Sequence, residues 1–205
     1  MKDNNLLSII EVITNSPVSD LLSIIGPVQN FYGIYDFCAK AKYQHDIKKL
    51  TIFLKKIENA NITKKDLANY AKQNLKTKEQ LADELRKVII ILSSQIEEEK
   101  SEILGNLYIH LIRCDIDYDT FQTLSFILTQ LTVSDIQTLI YIFETNPTFA
   151  TPFDKNSSAS RLTSLGLISN NAGTFIGKVE EPRFHPFDEG ITLYTYGINC
   201  SQVKS

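Results

Sequence analysis

Downstream of Ser19 the apolar positions of this chain recur three and four residues apart, the spacing that lays one stripe along a helix. Ser19 and Asp20 are placed to cap a helix opening at Leu21. In DIKKLTIFLKKIEN, Ile47, Leu50, Phe53, Leu54 and Ile57 share a stripe, while Lys48, Lys49, Lys55 and Lys56 fall outside it. That pattern predicts an amphipathic surface helix with snorkelling lysines. Thr63 then caps TKKDLANYAKQN, with Asp66 three residues on as a partial capping box. Thr77 repeats the device and opens a helix with Leu81, Leu85, Val88 and Leu92 on one line and Ile89, Ile90 and Ile91 around the rest. A helix apolar on nearly all sides needs neighbours on several faces, so it is the expected centre of a bundle. The run EEEK from Glu97 reads as a solvated turn, after which Ile103, Leu104, Leu107, Tyr108, Leu111 and Ile112 restore the stripe.

The second half continues with Asp117 capping a helix that buries Phe121, Leu124, Leu128 and Leu131. Ser134 is the expected cap of a further helix with Ile136, Leu139, Ile140 and Phe143 inward, stopping before Pro147. A loop rich in Pro, Asn and Ser leads to SASRLTSLGLI, a short helix with Leu162 and Leu165 inward and Gly166 as its left-handed stop. A strand is expected to begin at Leu167-Ile168, with a turn at Asn170 to Gly173 and further strands at Thr174 to Val179 and Ile191 to Ile198. The two prolines of EEPRFHPFDEG mark that stretch as a loop or wing tip. Helix, helix, helix, strand, strand is the order of a winged helix. The expected fold is therefore mainly α: a helical bundle domain over 1–115, then a winged-helix-like domain with a β-hairpin over 116–205.

Composition narrows this picture. With 43% hydrophobic and 22% charged residues in a chain of 205, a real core is within reach. Four of the 6 prolines (Pro147, Pro152, Pro182, Pro186) lie in the last third, which sets a turn-rich end apart from an almost uninterrupted helical body. The net charge of -3 argues against a broad electrostatic grip on nucleic acid. The short third helix carries only Arg161, and acids balance bases from Asp154 to Lys204. Arg161, Lys178 and Arg183 are the residues through which this region would touch DNA or a protein partner. Cys38, Cys114 and Cys200 have no CxxC spacing and read as reduced thiols of a cytoplasmic protein. The start, MKDNNLLSIIEV, has acids flanking a short apolar run and does not read as a signal peptide. The segment from Leu21 to Tyr35 is uncharged but broken by Gly26-Pro27 and too short to span a bilayer. It reads as a buried helix or hairpin, and release of Leu21 to Phe37 toward a partner or membrane, through Leu21, Ile24, Ile25, Phe31 and Phe37, is the alternative.

Candidate chemistry is sparse. Asp115, Asp117 and Asp119 alternate as in an EF-hand loop, but the sixth and twelfth positions, which need Gly and Glu, hold Thr120 and Phe126. His45, His110 and His185 stand in unlike contexts; His110, inside LYIHLIR, reads as a hydrogen-bonded core or interface residue. No phosphate loop, HExxH, nucleophile elbow or Cys/His cluster is present in the sequence, so no catalytic residue, cofactor, metal or small-molecule substrate is expected.

The segments SIIGPVQNFYGIYDF, KKLTIFLKKI, SEILGNLYIHLI, DIDYDTF, RLTSLGLI and ITLYTYG resemble, in order and approximate spacing, a group of small bacterial proteins similar to the abortive-infection alpha family. The likeness runs from about Pro17 onward through hydrophobic patterns and supplies no catalytic residue. It implies a non-enzymatic interaction or effector protein linked to phage defence, working through a protein partner or as a homo-oligomer. The alternative is a winged-helix DNA-binding regulator.

Overall fold

The computed structural model describes residues 44–74, 78–94, 97–145, 156–171, 174–175, 178–179 and 183–199. The helices are α1 (Gln44–Asn59), α2 (Lys64–Asn74), α3 (Lys78–Ser94), α4 (Glu99–Ile112), α5 (Tyr118–Gln130), α6 (Val133–Thr145) and α7 (Asn156–Ser164). Four short strands come next: β1 (Ile168–Asn171), β2 (Thr174–Phe175), β3 (Lys178–Val179) and β4 (Arg183–Pro186). The described chain ends in α8 (Asp188–Thr192), which runs into a π-helical turn, Leu193–Ile198. The chain divides into two compact units, Met1–Ser125 and Phe126–Ser205, and the division falls inside α5.

In the first unit the buried helix is α4. Every residue from Lys100 to Ile112 except Glu102 is buried. This corrects the expectation that VIIIL of α3 forms the centre: Val88 and Leu92 are buried, but Ile90 is 60% exposed. The reason lies in Gly105. A Cβ there would stand 3.0 Å from Cβ of Lys56, so α1 lies directly against α4. The α1 stripe of Leu50, Phe53, Leu54 and Ile57 is buried as expected, whereas Lys49 is buried rather than outside the stripe. Position 49 stands one turn before Phe53 and shares its side of the helix. The EEEK run is partly internal: Lys100 is buried and meets Glu97 at 3.0 Å, and Glu98 meets the exposed Lys48 at 2.6 Å.

Local rules hold at the helix starts. Thr63 Oγ1 accepts from the Asp66 N–H (3.2 Å), while Asp66 Oδ2 receives the Thr63 N–H (2.9 Å) and hydroxyl (2.7 Å). Asp117 Oδ1 accepts the Thr120 N–H at 2.7 Å, and Phe121, Leu124, Leu128 and Leu131 are buried. The cap of α6 is Thr132, not Ser134. Its hydroxyl accepts the Asp135 N–H (3.2 Å), and Asp135 Oδ2 receives the Thr132 N–H (2.7 Å). Ser134 Oγ instead lies 3.3 Å from Ser158 Oγ on α7.

In the second unit the end of α7 sets the geometry. Gly166, at φ 70, lets its own N–H reach Thr163 O and the Leu167 N–H reach Leu162 O, both at 3.0 Å. This is a Schellman stop, closed by the buried side chains of Leu162 and Leu167. β1 then pairs antiparallel with β4, from Ile168 opposite Pro186 to Asn171 opposite Arg183. β2 pairs with β3, Thr174 opposite Val179. RFHP is thus a strand and not the expected loop. In a two-stranded ladder both strands are edges, and Pro186 sits at the ladder's end, where a missing N–H is tolerated.

The expected strand from Ile191 to Ile198 is helical. Gly190, Leu193 and Gly197 are the buried positions, spaced three and four apart, and Tyr194 stacks on Phe143 of α6 with ring centroids 4.4 Å apart. Aromatic and β-branched content pointed to a strand, and packing overrides that preference. α8 sits so close to the chain before β1 that a Cβ on Gly190 would lie 2.1 Å from Leu167 O, while the Phe187 N–H bonds that same oxygen at 3.0 Å.

The two glycines are expected to respond differently to substitution. Gly166 faces open space, so Gly166→Ala carries only the left-handed strain, about 1 kcal/mol, and Gly166→Asn costs less. Gly190→Ala drives a methyl into backbone and is expected to cost about 2–3 kcal/mol, with Asn no better. Urea unfolding midpoints of the four variants check both; equal losses at the two positions would sink the distinction.

Candidate functional site

The densest chemistry in the first unit gathers around Glu84. α3 carries it one turn before Val88 and two before Leu92, on the same buried line. α2 contributes Tyr70, one turn after buried Leu67, and α4 contributes Tyr108. Both phenols donate to Glu84 Oε1, Tyr108 at 2.9 Å and Tyr70 in a shorter bond. Tyr108 is held edge-on by Phe121 (5.7 Å between centroids) and tilted against Phe53 (5.6 Å). Nearer solvent, Lys87 Nζ donates to the Tyr118 hydroxyl at 3.3 Å, as does Gln122 Nε2 at 3.0 Å.

Burial sets the electrostatics. It raises the Glu84 carboxyl, against the lowering effect of both phenol bonds and of Lys87. Burial, then the neighbouring Glu84, push the Tyr70 and Tyr108 phenols far above their ordinary value. The trio can therefore hold a proton on the carboxyl while three helices remain tied to one oxygen.

A second polar feature closes α4. Cys114, at φ 61, occupies the left-handed position, with its N–H bonded to Leu111 O and the Asp115 N–H to His110 O. The Schellman stop normally carries an apolar contact between its outer residues. Here His110 Nδ1 and Asp115 Oδ2 make a polar one at 2.7 Å, and His110 is buried, as its sequence context predicts. Burial, followed by Asp115 and Asp66, raises the Cys114 thiol.

In the second unit Asp135 is fully buried. Its Oδ2 serves the Thr132 box and also lies 3.3 Å from Arg161 Nη1. No donor among the described residues reaches its Oδ1. Arg161, expected to face a partner, is 43% exposed as a side chain but leans back on this acid. Lys178 lies in β3 and Arg183 opens β4; their side chains lie outside the described ones. The segment with Leu21, Ile24, Ile25, Phe31 and Phe37 lies outside the described residues altogether. Among the described residues no group of three or more His, Cys, Asp or Glu side chains is placed to hold a metal ion. No single helix among them is long and apolar enough to cross a membrane.

Sequence reading passed over Glu84 and Asp135. The signal for Glu84 was its place on the Val88–Leu92 line, an acid on a buried stripe. The signal for Asp135 was the Thr132-x-x-Asp135 spacing, identical to the box at Thr63. Comparison with protein-family models, with curated proteins and with solved structures finds no match to this chain.

The Glu84 carboxyl gives the fold a pH dependence of defined sign. A folded value raised above the ordinary 4.5 means that the native state holds this proton more tightly than the unfolded chain. Its contribution is full below that ordinary value and is lost as pH rises through the folded one. Asp66 and Asp117, lowered by their bonds to Thr63 and Thr120, act oppositely: their contribution is lost as pH falls below 3.8 through their folded values. Glu84→Gln keeps an acceptor for both phenols and removes the titration. Over the window above pH 4.5, unfolding midpoints are expected to fall more steeply with rising pH in the parent than in the variant. Parallel curves would show that Glu84 does not titrate in that window.

Proposed function

We propose that this protein acts by protein contact and not by catalysis, as an interaction or effector protein whose setting is bacterial phage defence. The defence setting rests on the resemblance to the abortive-infection alpha family. The contact reading is carried by one observation: polar chemistry is turned inward while large apolar side chains are turned outward. Glu84, His110 and Asp135 are buried and bonded to neighbours within the chain. Phe126 is 66% exposed, Phe187 46% and Ile191 44%. Single exposed apolar residues are ordinary, but Phe187, which caps α8, and Ile191 within it expose two of them in five residues.

The second reading, a winged-helix DNA-binding regulator, draws on the order of α5, α6 and α7 before the β1/β4 hairpin. The charge on α7 counts against it, because Arg161 is partnered by a buried carboxylate.

Expression of the full chain during phage challenge is expected to cut plaque counts at least about tenfold against an empty vector, and a folded Glu84→Gln variant should protect equally well. Equal plaque counts with chain and vector remove the defence setting. Lost protection in a folded Glu84→Gln variant removes the non-catalytic reading. The regulator reading predicts a salt-sensitive mobility shift on duplex DNA that Arg161→Ala and Lys178→Ala weaken.

A further inference from the structure

α1 and α2 are joined by a short turn, Ala60 to Thr63, that is held at each of its residues. Asn61 takes the left-handed conformation, φ 51, the bend a short helix-turn-helix connection needs and that asparagine supplies nearly as well as glycine. Ile62 is buried, and Thr63 opens α2 through its box with Asp66. From the end of α4, Arg113 Nη2 donates to Ala60 O at 2.7 Å.

On α2 itself the two faces separate. At about 3.6 residues per turn, Leu67 and Tyr70 point to one side, and both are buried. Lys64, Lys65, Ala68, Asn69, Lys72 and Gln73 are all exposed and spread over the half turn opposite them. Asp66, the one acid of α2, has its Oδ2 taken by the Thr63 N–H and hydroxyl. Among the described residues no carboxylate forms an ion pair with Lys64, Lys65 or Lys72. The net charge of -3 for the whole chain therefore does not describe this face, which is cationic.

We propose that the exposed face of α2 is an interface for duplex DNA, with α2 lying in the major groove, Lys64, Lys65 and Lys72 on phosphates, and Asn69 and Gln73 on base edges. Lysine suits any phosphate, so the rest of the face chooses among polyanions. A membrane surface is held through apolar side chains, and those of α2 are turned inward. The major groove of an RNA duplex is too narrow to be read by a helix, whereas that of B-DNA admits one. An acidic peptide would use the lysines alone. Asparagine and glutamine amides match the donor and acceptor of an adenine edge, and Ala68 between the lysines and Asn69 leaves the backbone room to approach. Arg113, Ile62 and the Thr63 box fix α2 before binding, so little ordering is lost. The contact goes beyond the protein-contact reading and does not rest on it, since α2 belongs to the first unit and Phe126, Phe187 and Ile191 to the second.

The test is fluorescence anisotropy of a labelled mixed-sequence DNA duplex of about two helical turns, titrated with the full chain. Three phosphate contacts predict a Kd on the order of micromolar at about 50 mM salt, weakened about 20-fold at about 150 mM. Lys64→Ala/Lys65→Ala should lose at least about tenfold at the lower salt and flatten the salt slope by about two. Lys72→Gln should lose about threefold and carries the test if the double variant unfolds by circular dichroism. Arg161→Ala/Lys178→Ala should leave binding unchanged, which separates α2 from the winged-helix reading. Selection from a randomised duplex pool is expected to return a preferred sequence with the parent chain and none with Asn69→Ala/Gln73→Ala. No binding at the lower salt, or binding untouched by the α2 lysine variants, overturns the proposal. Equal or tighter binding to an RNA duplex, to phosphatidylserine vesicles or to polyglutamate also overturns it, and a parent chain that selects no sequence overturns the major-groove placement.

Discussion

A carboxyl group taken out of water has to be given hydrogen bonds, and in each unit one such group decides which helices stand together. Glu84 lies on the buried line of α3, and phenols from α2 and α4 both donate to the same one of its oxygens. Three helices thus converge on a point that none of them reaches alone. Asp135 does the equivalent for α6 and α7: having capped its own helix through Thr132, it takes the Arg161 guanidinium from the next. The asymmetry of such pairs is what enforces the arrangement. Removing a donor strands a buried acceptor at about 1–3 kcal/mol, whereas the formed bond contributes less than that on balance. The packing is specified by what it would cost to depart from it.

Around Leu167 a second constraint operates on backbone alone. Its N–H finishes the stop of α7, its carbonyl receives Phe187, and its neighbour Ile168 opens β1 opposite Pro186. One residue therefore ends a helix, starts a ladder and seats the next helix. A helix as short as α8 has no stability of its own, since nucleation is not recovered over so few bonds. α8 exists because Gly190 lets it lie on that carbonyl and because Leu193 and the Phe143–Tyr194 stack hold the π-helical turn at its end.

How far the sequence discloses this depends on the range of the interaction. Capping at Thr63 and Asp117, the stripe of α5 and the stop at Gly166 are decided within a few residues, and each is legible. The choice of central helix is not local. VIIIL looks the more buried segment, yet α4, with Ser101, Asn106 and His110 in it, takes that place because Gly105 admits α1. Hydropathy reports how much a segment gains from burial, not how closely a neighbour can approach. The same limit explains ITLYTYGI, whose residues favour a strand by type while its small and buried positions keep a helical period, and Lys49, whose burial comes from geometry rather than from polarity. Of the polar clusters, the His110 environment was legible from its apolar neighbours. The Glu84 trio joins residues 14 and 24 apart and becomes visible only when three helices are in place.

The two functional readings part on the freedom left to Arg161. A cation that reads a phosphate backbone works through an unopposed field, and its affinity grows as counterions are released. Arg161 already faces a carboxylate shut away from solvent, so moving it toward phosphate would leave Asp135 buried without its cationic neighbour. The helix that would read DNA is thus held to α6 by the very residue that would do the reading. An apolar contact meets no such charge competition: Phe187 is 46% and Ile191 44% exposed. In the second unit, the surface that can be lent to a partner without loosening the packing is the apolar one.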